Sequence, residues 1–84
     1  VARARADLAE RLGVKEGEVA EASVEDTDFP DANFGAALPD EMSAQMITPG
    51  WRIRLAAGGQ TFEYRANRNR LRLFNYQGAN HRVV

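Results

Sequence analysis

Eighty-four residues, 44% apolar and 27% charged, make one small domain and leave no room for a second core. Cysteine is absent, which excludes disulfides, thiolate nucleophiles and cysteine metal sites, and no run approaches the ~18 apolar residues of a membrane-spanning helix. The net charge of −1 gives no global pull toward nucleic acid or membrane, yet eleven of the twelve acids lie in residues 1–41 and seven of the ten arginines in residues 42–84. Two outcomes are open: the halves neutralise each other across the fold, or a basic face is left for a partner.

Residues 2–12 read as a helix. Ala, Leu, Arg and Glu are strong helix formers, and Ala4, Leu8 and Leu12 recur four apart as an apolar stripe that Ala9 widens. Asp7 and Arg11 fall on the expected wet face, spaced to pair. Gly13 is the expected left-handed stop. A helix this short is marginal alone, so its stripe needs a sheet to cover it. After a turn at Lys15-Glu16-Gly17, residues 18–26 read as a strand with Ala20, Ala22 and Val24 inward.

Residues 27–43 read as a long loop. Pro30 and Pro39 each remove a backbone donor, and Gly35 admits a positive φ. Asp31, followed by Ala32-Asn33, is placed to accept backbone N–H groups as an Asx turn. Phe29, Phe34 and Leu38 are the expected pins. Connections this long in compact domains are either functional or held by their own side chains.

From Ala44 on the pattern is one of hairpins. Residues 44–48 are extended, and Thr48-Pro49-Gly50 reads as a bend or bulge. Trp51, Ile53 and Leu55 alternate with Arg52 and Arg54. Gly58-Gly59 is a hairpin turn. Phe62 and Tyr64 point inward from the next strand, with Glu63 and Arg65 outward. Asn67-Arg68-Asn69 turns the chain again. Arg70–Tyr76 is the last expected strand, with Leu71 and Leu73 inward and Arg70, Arg72, Phe74 and Tyr76 outward.

The expected fold is α+β in two layers: an N-terminal helix on a mostly antiparallel sheet of about four strands, in the order α-β-long loop-β-β-β. The domain spans 1–76, and 77–84 is a polar tail. The core consists of Leu8, Leu12, Val24, Ile53, Leu55, Phe62, Tyr64, Leu71 and Leu73, with Trp51 at its rim. The chain opens on Val1-Ala2-Arg3 rather than a methionine, so a longer parent protein is expected.

Catalytic chemistry finds little support. The one histidine, His81, falls in the expected tail, and Ser23 and Ser43 lack a nucleophile-elbow pattern. The carboxylates of Glu25, Asp26, Asp28, Asp31, Asp40 and Glu41 fail the spacing of a calcium loop and read as a solvated acidic segment. Gly58-Gly59 is followed by neither a Lys-Ser/Thr pair nor a helix, so it is no phosphate cradle. No cofactor is expected.

The run Phe29-Pro30-Asp31-Ala32-Asn33-Phe34-Gly35 and the later Gln45-Met46-Ile47-Thr48-Pro49-Gly50-Trp51-Arg52-Ile53 resemble a family of small bacterial domains. Its signature reads approximately W-P-D-x-S-L-G-C-P-x-P-G, then Q-V-x-T-P-G-Y-x-I. The Ala4–Val14 helix and the stretch through Gly58-Gly59-Gln60-Thr61-Phe62-Glu63-Tyr64 are similar to it as well, so the resemblance covers about residues 4–74. The family carries cysteines where this chain has Ala36 and Phe74. A disulfide between them in relatives would imply an exported family, with packing of Phe74 beside Ala36 replacing the bond here. The family's proline at Ala37 and tyrosine at Ser43 are also missing. The order of helix and hairpins is similar to half of a PepSY-type domain, which implies an association with secreted proteases.

The expectation is therefore a non-enzymatic protein-interaction or regulatory module, extracytoplasmic and protease-associated in its most specific form. The contact residues expected are Arg52, Arg54, Arg65, Arg72, Phe34 and Tyr76, with Pro30, Asp31, Gly35, Pro49 and Gly50 shaping the loop and its return. A single-stranded nucleic-acid site on the same basic and aromatic face is the alternative, and a structural accessory domain of a longer protein is another.

Overall fold

A computed structural model describes residues 1–84. Helix α1 (Ala2–Leu12) leads through a short 3-10 turn at Glu16–Glu18 into five strands: β1 (Ala20–Phe29), β2 (Thr48–Ala57), β3 (Gln60–Ala66), β4 (Leu71–Tyr76) and β5 (Ala79–Arg82). They form one antiparallel meander in the order β1-β2-β3-β4-β5. The fold is α+β, as the pattern of the sequence implies, with one strand more than that pattern indicates.

Gly13 ends α1 at φ 70°, ψ 32°, and the Val14 N–H donates back to the Ala9 carbonyl at 3.0 Å. This left-handed cap closes the helix without steric cost because glycine has no Cβ. Ala4, Leu8 and Ala9 then pack on Ile53, Leu55, Tyr64, Leu71 and Leu73, with Leu12 and Phe62 at the margin. Each buried Leu or Ile contributes roughly 1.5–3 kcal/mol, which stabilises a helix too short to persist alone. Asp7 does not lie on the wet face. It is mostly buried at the sheet, accepting from Tyr64 Oη at 2.6 Å and from Arg11 Nε at 2.7 Å. Burial and the bond to Asp7 push the Tyr64 hydroxyl well above its ordinary range.

Four readings of the sequence are corrected. Val24 is not core: it is 41% exposed, and Ala20 and Ala22 are exposed too. β1 is an edge strand, its register shifts between Glu21 and Ser23, and this breaks the alternation assumed for it. Thr48-Pro49-Gly50 is no bend but the first part of β2, paired residue by residue with Thr27, Asp28 and Phe29. Gly50 is needed because a Cβ there would sit 2.3 Å from the Ala66 carbonyl oxygen and 3.2 Å from the Phe29 ring. Tyr76 sits on the helix side, against Phe62 and under Arg11, not on the arginine side. Asn75 at φ 52° interrupts the strand and turns the next side chain over. Finally, 77–84 is not a free tail, since Gln77-Gly78 make a tight turn with positive φ and β5 pairs with β4.

The loop between β1 and β2 folds back over the face of the sheet opposite α1. The sheet is thus covered on one side by a helix and on the other by irregular chain.

Candidate functional site

The loop is fixed first by its own residues. Asp31 Oδ1 accepts the N–H groups of Asn33 (2.8 Å) and Gly35 (3.1 Å). Phe34 is held at φ 59° and Gly35 at φ 65°. The positive φ disfavours a side chain at Gly35, and a Cβ there would approach the Arg65 guanidinium to 2.9 Å and push it aside. The Ala32 N–H donates to the Ala44 carbonyl at 3.0 Å and Asn33 Nδ2 to Ser43 Oγ at 2.9 Å, which brings the loop back on itself. Phe29 and Phe34 are buried with ring centroids 5.3 Å apart.

An irregular segment laid on a sheet leaves its carbonyls without ladder partners. Here β3, β5 and the residue just before β4 supply donors from the face opposite α1. Arg65 donates to the Phe34 carbonyl at 2.8 Å, Arg70 to that of Ala32 at 2.7 Å, and Asn80 to that of Ala37 at 2.9 Å. Arg70 also donates to Asn33 Oδ1. Arg72, 2% exposed, grips the Glu41 carboxylate with both arms of its fork, the Nη2–Oε2 arm at 2.7 Å. Arg82 reaches the same carboxylate at 2.8 Å. The Arg72 fork, the Leu38 N–H and Arg82 hold the Glu41 carboxyl well below the usual carboxylate range, against the opposing effect of its own burial. The Arg65 guanidinium also stacks 3.6 Å from the centroid of Phe74.

This geometry redistributes the residues that the sequence nominates for partner contact. Phe34 and Arg72 are buried beneath and within the loop, so neither offers a side chain to a partner. Arg65 is committed to Glu63 (2.7 Å), Phe34 and Phe74. Arg52 and Arg54 remain partly exposed, beside Glu63 at 3.4 and 3.6 Å, with Arg54 also 3.5 Å from Glu25. Tyr76 belongs to the other face. The acidic and basic halves of the chain meet at two carboxylates: Glu41 in the loop pairs with Arg72 and Arg82, and Glu25 on β1 lies beside Arg54.

A family described as a domain of unknown function (DUF8738) matches residues 1–74. The chain belongs to this family. No curated protein and no solved structure matches it. The matched span of the DUF8738 domain contains α1, the loop and the clamping residues Arg65, Arg70 and Arg72. The contacts from Asn80 and Arg82 lie beyond it.

Two surface features of the domain are not among the nominated residues. Met42, Met46 and Ile47, at the end of the loop, are 98%, 58% and 71% exposed. Beside them in sequence, β2 carries Trp51, 37% exposed, along a groove of about 450 Å³ that Asp26, Asp28, Pro49 and Arg68 also line. The signal for the first was weak, because the same loop also carries the apolar residues Phe34 and Leu38. The second has no local signal, because its walls come from three separate segments.

Proposed function

We propose that the domain is a non-catalytic protein-interaction module whose contact surface is the Met42–Ile47 segment. The observation that carries this reading is the exposure of Met42, Met46 and Ile47 in one stretch, while the neighbouring Phe29, Phe34 and Ala36 are fully packed. Large apolar side chains gathered outside a core mark contact sites, and methionine adapts to varied partners. The non-catalytic part is supported by the state of the candidate nucleophile and base. Ser43 is bonded to Asn33, and His81 packs edge-on to Tyr76 at 5.7 Å. The nucleic-acid alternative loses its support, since Phe34 is buried and Phe74 is already stacked by Arg65.

An extracytoplasmic location and a protease-regulating role are the finer form of this proposal. They rest on the resemblance to cysteine-bearing relatives and to PepSY-type domains, and fractionation of the source cell tests the location. For the surface itself, a Met42→Ser/Met46→Ser/Ile47→Ser variant should keep the stability of the parent within about 1 kcal/mol, because it removes no packed side chain. It should lose the partner that the parent retains in affinity capture. Retention of the same partner by both proteins would overturn the reading.

A further inference from the structure

β1 pairs with β2 alone, so its outer edge is free along Ala20–Phe29. That strand carries Glu21, Glu25, Asp26 and Asp28 and no base. In the ladder Asp26 stands directly opposite Trp51 and Asp28 opposite Pro49. Directly opposed residues share a face and lie close, so both carboxylates stand beside the indole on the side of the sheet that α1 covers further along. The first turn of α1 approaches this corner from one side, where Val1 and Arg3 share a cleft with Trp51 and Ile53, yet Val24 and Trp51 are left 41% and 37% exposed. Asp7, Glu25, Glu41 and Glu63 all engage arginines, whereas Asp26 and Asp28 have no cation within 4.0 Å, although Arg68 lines the same groove.

We propose that an extended basic segment of a partner protein adds to the β1 edge, with a Lys or Arg side chain lying on Trp51 between Asp26 and Asp28. The proposal rests on the reading of the domain as an interaction module and names a second contact, separate from Met42–Ile47. Charge decides the occupant. A second copy pairing through β1 would set carboxylate against carboxylate, which blocks self-association, whereas a basic strand meets opposite charge along the same edge. Strand addition supplies backbone hydrogen bonds, and the groove supplies selection at one side chain. An aromatic face flanked by two carboxylates attracts a cation through its ring quadrupole and through direct Coulomb pairing. Arg68 in the groove and Arg3 on the other side of Trp51 oppose the incoming charge and so limit its affinity.

Trp51 is the only tryptophan, so its emission reports the groove directly. The probe is an acetylated, amidated octapeptide alternating Lys or Arg with Thr and Val, titrated at low salt beside its Glu counterpart. The basic peptide should shift Trp51 emission saturably and weaken as salt is added. Asp26→Asn/Asp28→Asn, with a thermal midpoint like the parent's, should bind about tenfold more weakly, and Arg68→Ala about threefold more tightly. Alternate N-methylation of the peptide backbone should abolish binding. An unchanged emission, equal binding of the acidic peptide, or full binding of the N-methylated peptide would overturn the proposal. Capture of a partner that survives Asp26→Asn/Asp28→Asn but is lost in the Met42/Met46/Ile47 variant would overturn this inference alone and leave the interaction-module reading standing.

Discussion

On the helix side of the sheet, Ile53, Leu55, Leu71 and Leu73 meet Ala4 and Leu8 in a contact made almost wholly of carbon. On the loop side, the alternate residues of the same strands include Arg52, Arg54, Arg65 and Arg72, and the covering chain has no regular structure. The difference follows from what each cover needs. A helix satisfies its own backbone and asks only for apolar area. An irregular loop brings unpaired carbonyls, and guanidinium groups with several fixed donors can satisfy them while stacking on rings. Arginine is therefore the packing residue of the loop face.

The comparison breaks most readily at Arg72. Arg72→Met takes the main partner from the partly buried Glu41 and should cost about 3 kcal/mol in urea denaturation. A variant as stable as the parent would mean that the rings alone hold the loop. On the other face, Leu73→Ala should cost about 3 kcal/mol through a cavity. Added salt should leave that difference unchanged, since no charge is involved.

Acid sharpens the contrast. The folded chain holds Glu41 below its ordinary value of 4.5, so its contribution is complete above about pH 5.5 and is lost as pH falls below about 4. Against Glu41→Gln, the parent should be about 2 kcal/mol more stable at pH 7. The gap should close toward about pH 2. A pH-independent gap would assign Glu41 a packing role alone. Tyr64→Phe tests a polar contact on the helix face, the bond from Tyr64 to Asp7. Its loss should cost about 1.5 kcal/mol, read from the thermal midpoint. The smallest effect belongs to Ala36→Cys/Phe74→Cys. A bridge should form in oxidant and stabilise by about 1 kcal/mol net, after subtraction of the lost Arg65–Phe74 stacking. Two thiols that stay free on mass analysis would show that these positions do not approach.

Much of the fold was readable because local rules agreed with it. The Ala4/Leu8/Leu12 stripe, Gly13, the Gly58-Gly59 turn and the alternation from Trp51 to Leu73 each depend on neighbours in the chain. Asp31 was legible too, since an Asx turn needs only the next few residues. The shifts at Glu21/Ser23 and at Asn75 were not, because a β-bulge leaves no mark in a periodic pattern and reverses every face beyond it. β5 was missed because Gln77-Gly78 is a weaker turn signal than Asn-Gly, and a strand of four residues is too short to show a period.

The candidate surface divides along the same line. Composition and spacing alone determined that the chain has one helix, antiparallel hairpins, two oppositely charged halves and no cysteine chemistry. Which arginines stay in water was decided only when the loop between β1 and β2 crossed the sheet and drew Arg65, Arg70 and Arg72 onto its carbonyls. Alternation tells which residues share a face, but what covers that face is set by contacts between residues distant in sequence. The same long-range folding left Asp26, Asp28 and Trp51 partly uncovered beside the start of the helix.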